Sequence, residues 1–226
     1  MTTATPARTA TQRRITWWCG CLFMIGSFLF ALGSFPLYFD TVSGTVVAVT
    51  FFTGSIFFTT AGYLQLVLSC NDWAAASGPA RWIAWRPHDG DWVASAVQSF
   101  GTVMFNISTF AAISTALSTQ QKDRLVWAPD VYGSIAFLVS SLLAFYLVAH
   151  TVWSWLTDSV PWRIAALNLA GSLAFGISAV GAYVIPATGS YLDPRWANGG
   201  TFVGAVCFLI GAALLVPRER RPAVHP

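Results

Sequence analysis

Apolar residues run along this chain in six long blocks separated by short polar segments: Ile15 to Phe39, Val42 to Cys70, Trp92 to Leu117, Val131 to Leu156, Arg163 to Ala187 and Gly199 to Val216. A helix crossing the hydrocarbon core of a bilayer needs about 20 apolar residues, and these blocks approach or exceed that length. No block carries a charge near its middle. In lipid every backbone group must be satisfied within its own segment, so the pattern predicts an all-α integral membrane bundle of six transmembrane helices. The implied divisions are a tail at 1–14, a hairpin at 15–70, a loop at 71–91, a middle hairpin at 92–156, a last hairpin at 163–216 and a basic tail at 217–226.

Composition agrees with that class. Of 226 residues, 55% are hydrophobic and 9% charged, against about 25% charged in soluble domains. The net charge of +3 is small and scattered, which argues against a nucleic-acid partner and leaves the lipid bilayer as the partner the composition implies. Basic residues accumulate on the cytoplasmic side of membranes. With the N-terminus inside, Arg8, Arg13, Arg14, Arg81, Arg86, Arg163, Arg218, Arg220 and Arg221 fall there, and only Lys122, Arg124 and Arg195 fall outside. The count predicts that both termini are cytoplasmic. Arg13 and Arg14 before an apolar run also resemble a secretory signal, but the run continues to Phe39 and its pattern recurs later, so a retained first helix is expected. All eleven tryptophans lie in loops or near predicted helix ends, nine of them on the predicted cytoplasmic side, as amphipathic indoles do at headgroup level. The loop Asn71 to Asp91, with Trp82, Ile83 and Trp85 beside Arg81 and Arg86, reads either as a segment lying on the membrane surface or as a connector without a partner.

A glycine followed four residues later by phenylalanine recurs in each block: Gly26 and Phe30, Gly54 and Phe58, Gly101 and Phe105, Gly133 and Phe137, Gly171 and Phe175, Gly204 and Phe208. Phenylalanine is only 17 of 226 residues, so the recurrence is not a consequence of composition. A second small residue, Gly33, Ala61, Ser108, Ser140, Ser178 or Gly211, follows each glycine at seven positions. Small residues two turns apart let neighbouring helices approach closely. That reading is preferred to a smooth internal path lined by the same residues. Helices one and five share Gly-Ser followed at twelve residues by Tyr38 or Tyr183, and helices two and six share Phe52 with Phe202 and Leu64 with Leu214. The first hairpin is therefore expected to recur as the last, in a parallel repeat about the membrane normal. The middle pair, with Gly133 close to a predicted helix end, matches less well.

The runs Phe23-Met24-Ile25-Gly26-Ser27 and Phe52-Thr53-Gly54-Ser55-Ile56-Phe57-Phe58, within Trp17 to Leu66, resemble the two-helix YrhK-like domain of bacterial membrane proteins. Asn168 to Pro217 resembles the same unit, with Ala205 where the second serine would stand. The resemblance implies a multi-pass protein of the bacterial inner membrane, from a family without an assigned activity, and carries no catalytic residue.

Polar side chains inside a membrane are the default functional candidates. Gln65, Gln98, His150 and Asn168 lie at similar depths near the predicted cytoplasmic ends of helices two to five, and are expected to form either a polar layer that takes a small polar solute or hydrogen-bonded glue between helices. Asn106, deeper in helix three, has the same two readings. The cysteines Cys19, Cys21, Cys70 and Cys207 show neither redox nor zinc spacing. One intramembrane histidine cannot supply a bis-histidine haem, and there is no metal motif or phosphate loop; no cofactor is expected. The acidic residues Asp40, Asp72, Asp89, Asp91, Asp123, Asp130, Asp158, Asp193 and Glu219 are placed in loops, helix ends or the tail, which disfavours an ion-driven pump. Pro36 and Pro186 read as helix-terminal prolines, or as breaks marking a gate. The sequence thus predicts a non-enzymatic structural or interaction component. Its alternative is a small-solute transporter or channel, with the small-molecule ligand unassigned. The close-packing faces also permit a homo-oligomer.

Overall fold

The computed structural model describes residues 9–73, 79–149 and 159–216. His150 and the basic tail from 217 lie outside the described residues. The described residues form helices α1 (Ala10–Ser34), α2 (Pro36–Phe39), α3 (Gly44–Ser69), α4 (Gly90–Ala111), α5 (Thr119–Lys122), α6 (Ala128–Ala149), α7 (Val160–Gly181) and α8 (Pro194–Leu215), with a π-helical turn, Asp123–Trp127, joining α5 to α6. Among them five helical stretches are long and apolar enough to cross a membrane: Ala10–Ser34, Gly44–Ser69, Thr119–Ala149, Val160–Gly181 and Pro194–Leu215. The sixth expected span corresponds to α4. It matches α7 and α8 in length at 22 residues, but Gln98, Asn106 and several hydroxyls make it more polar.

Helix boundaries depart from the apolar blocks where capping chemistry intervenes. Pro36 has no N–H and disfavours helical backbone at the residue before it; Phe35 is extended at φ −80°, ψ 125°, which ends α1, and Pro36 opens α2 as its first residue. The expected third helix, drawn to Leu117, stops at Ala111. Ser118 and Gln121 then form a reciprocal capping box, which starts a helix twelve residues before Val131. Asp130 is consequently inside the helical stretch Thr119–Ala149, correcting its placement in a loop or at an end, while Asp123 stands about one turn from the start of that stretch. The expected fifth helix ends at Gly181 rather than Ala187. Beyond it the chain turns back, with Val184 bridged to Tyr191 and Gly189 at φ 68°, so Pro186 lies in this turn and not in a helix. Asp193 begins α8 ahead of Gly199 by accepting from the backbone N–H of Arg195 at 2.8 Å and of Trp196 at 3.3 Å.

The long helices close into a ring in which each packs on the next: α1, α3, α4, α6, α7, α8 and back to α1. Gly20 lies against Ala212 and Val216, so the start of α1 and the end of α8 share one end of the bundle, called here the terminal face. The opposite end is the far face.

One locking device occurs three times. A Cβ added to Gly26 would stand 2.7 Å from the Phe58 ring, and one added to Gly54 2.8 Å from the Phe30 ring. Gly101 and Gly133 take the rings of Phe137 and Phe105 in the same way, at 2.6 and 3.2 Å, and Gly171 and Gly204 those of Phe208 and Phe175, at 2.9 and 2.8 Å. Each hairpin thus crosses glycine to glycine, and each phenylalanine covers the partner's glycine. The middle hairpin locks like the others, so the ring is a threefold repeat. The twofold reading underrated it because the apolar block hid the start of its second helix; Gly133 sits near the middle of Thr119–Ala149.

The six rings meet on the bundle axis as two stacked triangles. Phe30, Phe105 and Phe175, from the helices leaving the terminal face, have centroids 5.9 to 6.4 Å apart. Phe58, Phe137 and Phe208, from the returning helices, lie 5.6 to 6.3 Å apart. Within hairpins the two layers touch at 5.0 to 5.4 Å. All six side chains are buried. The repeated glycines are therefore packing residues, and the axis they surround is filled by aromatic rings instead of forming a smooth path.

Candidate functional site

The polar residues of α4 lie on one helical stripe, Gln98, Ser99, Thr102, Asn106 and Thr109, and meet a matching stripe of α3, Ser55, Thr59, Gly62 and Gln65. Asn106 donates to the Thr59 hydroxyl and accepts from Ser55 Oγ at 2.6 Å. Ser55 also bonds Thr109 at 2.9 Å, Thr59 donates to the Thr102 carbonyl at 3.2 Å, and Ser99 donates to the Gly62 carbonyl at 3.0 Å. Asn106 is thus a satisfied interhelical bridge. Because its partners belong to α3, this seam joins the first hairpin to the second.

Gln65 Nε2 donates to Gln98 Oε1 at 3.3 Å. Ser140 Oγ reaches the same amide oxygen at 3.4 Å while donating to the Ala94 carbonyl at 2.7 Å. Gln65 and Gln98 are therefore brought together. Asn168 occupies the register of Gln98, three residues before its glycine, but one hairpin further round. Its amide oxygen faces Gly211, where an added Cβ would come within 2.9 Å, and so it is not bonded to the glutamine pair. His150 lies outside the described residues. The expected layer resolves into a bonded pair at one seam and a separate amide within another hairpin.

The residue after each repeated glycine explains how the hairpins join. Ser27, Ser55, Thr102, Ser134, Ser172 and Ala205 are all buried. At the α6/α7 seam Ser141 and Ser172 share a 2.7 Å bond, Ser172 donates to the Phe137 carbonyl at 3.2 Å and Ser134 to the Phe175 carbonyl at 3.4 Å. The α8/α1 seam differs. Ala205 replaces the hydroxyl on α8, and Ser27 Oγ is buried without a partner. Among the described residues no side-chain hydrogen bond crosses this seam, which closes the ring by packing alone.

At the far face, Asp130 is half-buried and was not singled out in the sequence. It stands three residues before Gly133, in the register of Phe51 and Thr201, one turn beyond the triangle of Phe30, Phe105 and Phe175. Tyr191, in the turn after α7, is half exposed, yet its phenol is pushed above the usual tyrosine range, first by burial and then by the Asp130 carboxylate. Trp127 Nε1 donates to the Ala179 carbonyl at 2.9 Å and its ring packs on Tyr183. The signal for this placement was the Ser118 to Gln121 capping box.

No group of three or more metal-binding side chains occurs among the described residues, and the cysteines Cys19, Cys21, Cys70 and Cys207 are unpaired thiols. His88, the one described histidine, is on an exposed loop, so no described histidine stands beside the buried serines. Comparison with known protein families, with curated proteins and with solved structures finds no match to this chain.

Proposed function

We propose that this chain is a six-span membrane bundle that acts as a non-enzymatic structural or interaction component, with α4 as the sixth span and both termini on the cytoplasmic side. The observation that carries the reading is the double phenylalanine triangle, which occupies the axis where a conduit would run. The polar side chains of α4 support it as well, since Asn106, Gln98 and the hydroxyls beside them are engaged by α3 and α6. A helix too polar for lipid becomes acceptable as a span when its polar stripe is turned to neighbouring helices. The nine-to-three distribution of basic residues supports the orientation. The YrhK-like resemblance of the first and last hairpins supports the bacterial inner membrane as location.

Stopped-flow measurements of urea and glycerol entry into proteoliposomes test the proposal. Wild type should add nothing to the permeability of empty vesicles. Solute entry through wild type that vanishes in Gln98→Leu would overturn the structural reading in favour of a facilitator.

A further inference from the structure

On α3 the positions Val46, Val49, Thr53, Ile56, Thr60 and Tyr63 recur at helical spacing and are all exposed, marking the side turned away from the bundle. The same stripe continues to Val67 and Cys70. These two are buried, at 0% and 3% exposure. What covers them is the segment 79–89, which folds back along the outside of α3. Asn71 Nδ2 donates to the Arg81 carbonyl and Asn71 Oδ1 accepts from the Arg81 N–H, both at 2.8 Å. Tyr63 Oη donates to the Trp82 carbonyl at 3.2 Å, the Cys70 thiol donates to the Ala84 carbonyl at 3.7 Å, and Arg86 donates to the Ser69 carbonyl at 3.2 Å.

The segment therefore takes over the outward position along the last two turns of α3, from Tyr63 to Cys70, about 10 Å at 1.5 Å per residue. It presents Trp82, Ile83 and Trp85 outward, at 55%, 85% and 80% exposure. Helix α3 has 26 residues, about 39 Å against a hydrocarbon core of about 30 Å, so its final turns reach the headgroup zone. Two indoles and an isoleucine at that level, continuous with a lipid-facing stripe and flanked by Arg81 and Arg86, have the composition of an interfacial anchor. Arg86 is steadied by Asp89 at 2.9 Å, and beside Trp85 an open recess of about 490 Å³ is lined by Trp85, Arg86, Pro87, His88 and Asp89.

We propose that segment 79–89 is a membrane-embedded strap: Trp82, Ile83 and Trp85 enter the boundary between headgroups and acyl chains, and Arg81 and Arg86 face the phosphates of anionic glycerophospholipids. The proposal rests on the membrane-spanning reading of the bundle. Its test uses the full chain in vesicles of phosphatidylcholine alone or mixed with phosphatidylglycerol, with wild type compared to the double variant Trp82→Phe/Trp85→Phe. The difference emission of the two indoles should be blue-shifted, quenched by lipids carrying a nitroxide near the headgroup, and insensitive to aqueous iodide. Substituting Arg81 and Arg86 by Gln should remove any gain in headgroup quenching that phosphatidylglycerol produces. Iodide quenching without nitroxide quenching would overturn the strap. The quenching seen equally with and without phosphatidylglycerol would overturn the role of the arginines. Resistance to alkaline extraction, measured on the same vesicles, reports the spanning helices separately, so a failed strap is distinguished from a failed membrane reading.

Discussion

Gly101 and Gly176 offer a direct test of the glycine-to-phenylalanine lock, because both are helical and only one faces a ring. In Gly101→Ala the new Cβ would stand 2.6 Å from Phe137 Cδ1, 2.9 Å from Cε1 and 3.0 Å from the Gly133 carbonyl oxygen. Neither neighbour gives way easily. Phe137 is 1% exposed and touches Phe58, Phe105, Phe175 and Phe208, while the carbonyl belongs to a helix locked by the reciprocal contact of Phe105 on Gly133. Overpacking of this kind costs about 1–3 kcal/mol. A Cβ at Gly176 would meet nothing within 4 Å. Both substitutions gain the same helix propensity, about 0.8–1.0 kcal/mol in favour of alanine, so the difference between the two variants isolates the packing cost. Thermal unfolding in a mild detergent should place Gly101→Ala below Gly176→Ala by the equivalent of about 1–3 kcal/mol. Adding Phe137→Leu to Gly101→Ala should recover part of the loss, although that substitution alone is destabilising. Equal stability of the two alanine variants, or loss that simply adds in the double variant, would refute the lock.

Phe137→Ala removes a ring that belongs to one triangle and touches Phe105 and Phe175 of the other, and should cost about 3–5 kcal/mol, read by the same unfolding assay. Ser55→Ala breaks the two bonds to Asn106 and Thr109 and should cost at least about 0.6 kcal/mol, the average for a single interhelical bond in membranes, whereas Ser27→Ala should be neutral or stabilising because its hydroxyl has no partner. If α4 spans the membrane, reporter tags inserted in 79–89 and in 112–118 will report opposite sides; labelling of both from one side would remove the sixth span. Tyr191 should ionise above the ordinary tyrosine range, and Asp130→Asn should lower its titration part of the way in a phenolate absorbance measurement. Since the folded state holds that proton more tightly, the associated stability is present below the unfolded pKa of about 10 and is lost as pH rises through the higher folded value. Tyr191→Phe should abolish that alkaline loss.

Helical class, the three pairs of long helices and the packing role of Gly26, Gly54, Gly101, Gly133, Gly171 and Gly204 were legible in the chain, because span length and residue size are local properties. Caps were legible in principle as well. Ser118 with Gln121, Pro36 and Asp193 each marked a boundary that apolar blocks overran, since capping depends on hydrogen-bond chemistry and not on hydropathy. Of the polar layer, the shared depth of Gln65 and Gln98 followed from the sequence. The separation of Asn168 did not, because depth along a helix leaves the direction around it open.

That direction is what tertiary structure decided. In water an amphipathic helix announces its buried face by polarity, but a largely apolar helix does not, and the small residues mark close-packing faces without saying which helix each will meet. Phe30 and Phe28 look alike as residues; only the closed ring sends one to the axis and the other to the perimeter. The equivalence of the middle hairpin, the polar seams at α3/α4 and α6/α7, the packing-only closure of α8 on α1, and the burial of Val67 and Cys70 beneath 79–89 all depend on which helices become neighbours. The sequence by itself determined the helices and their close-packing residues. Their arrangement around six phenylalanines required contacts between segments as far apart as α1 and α8, which no local pattern encodes.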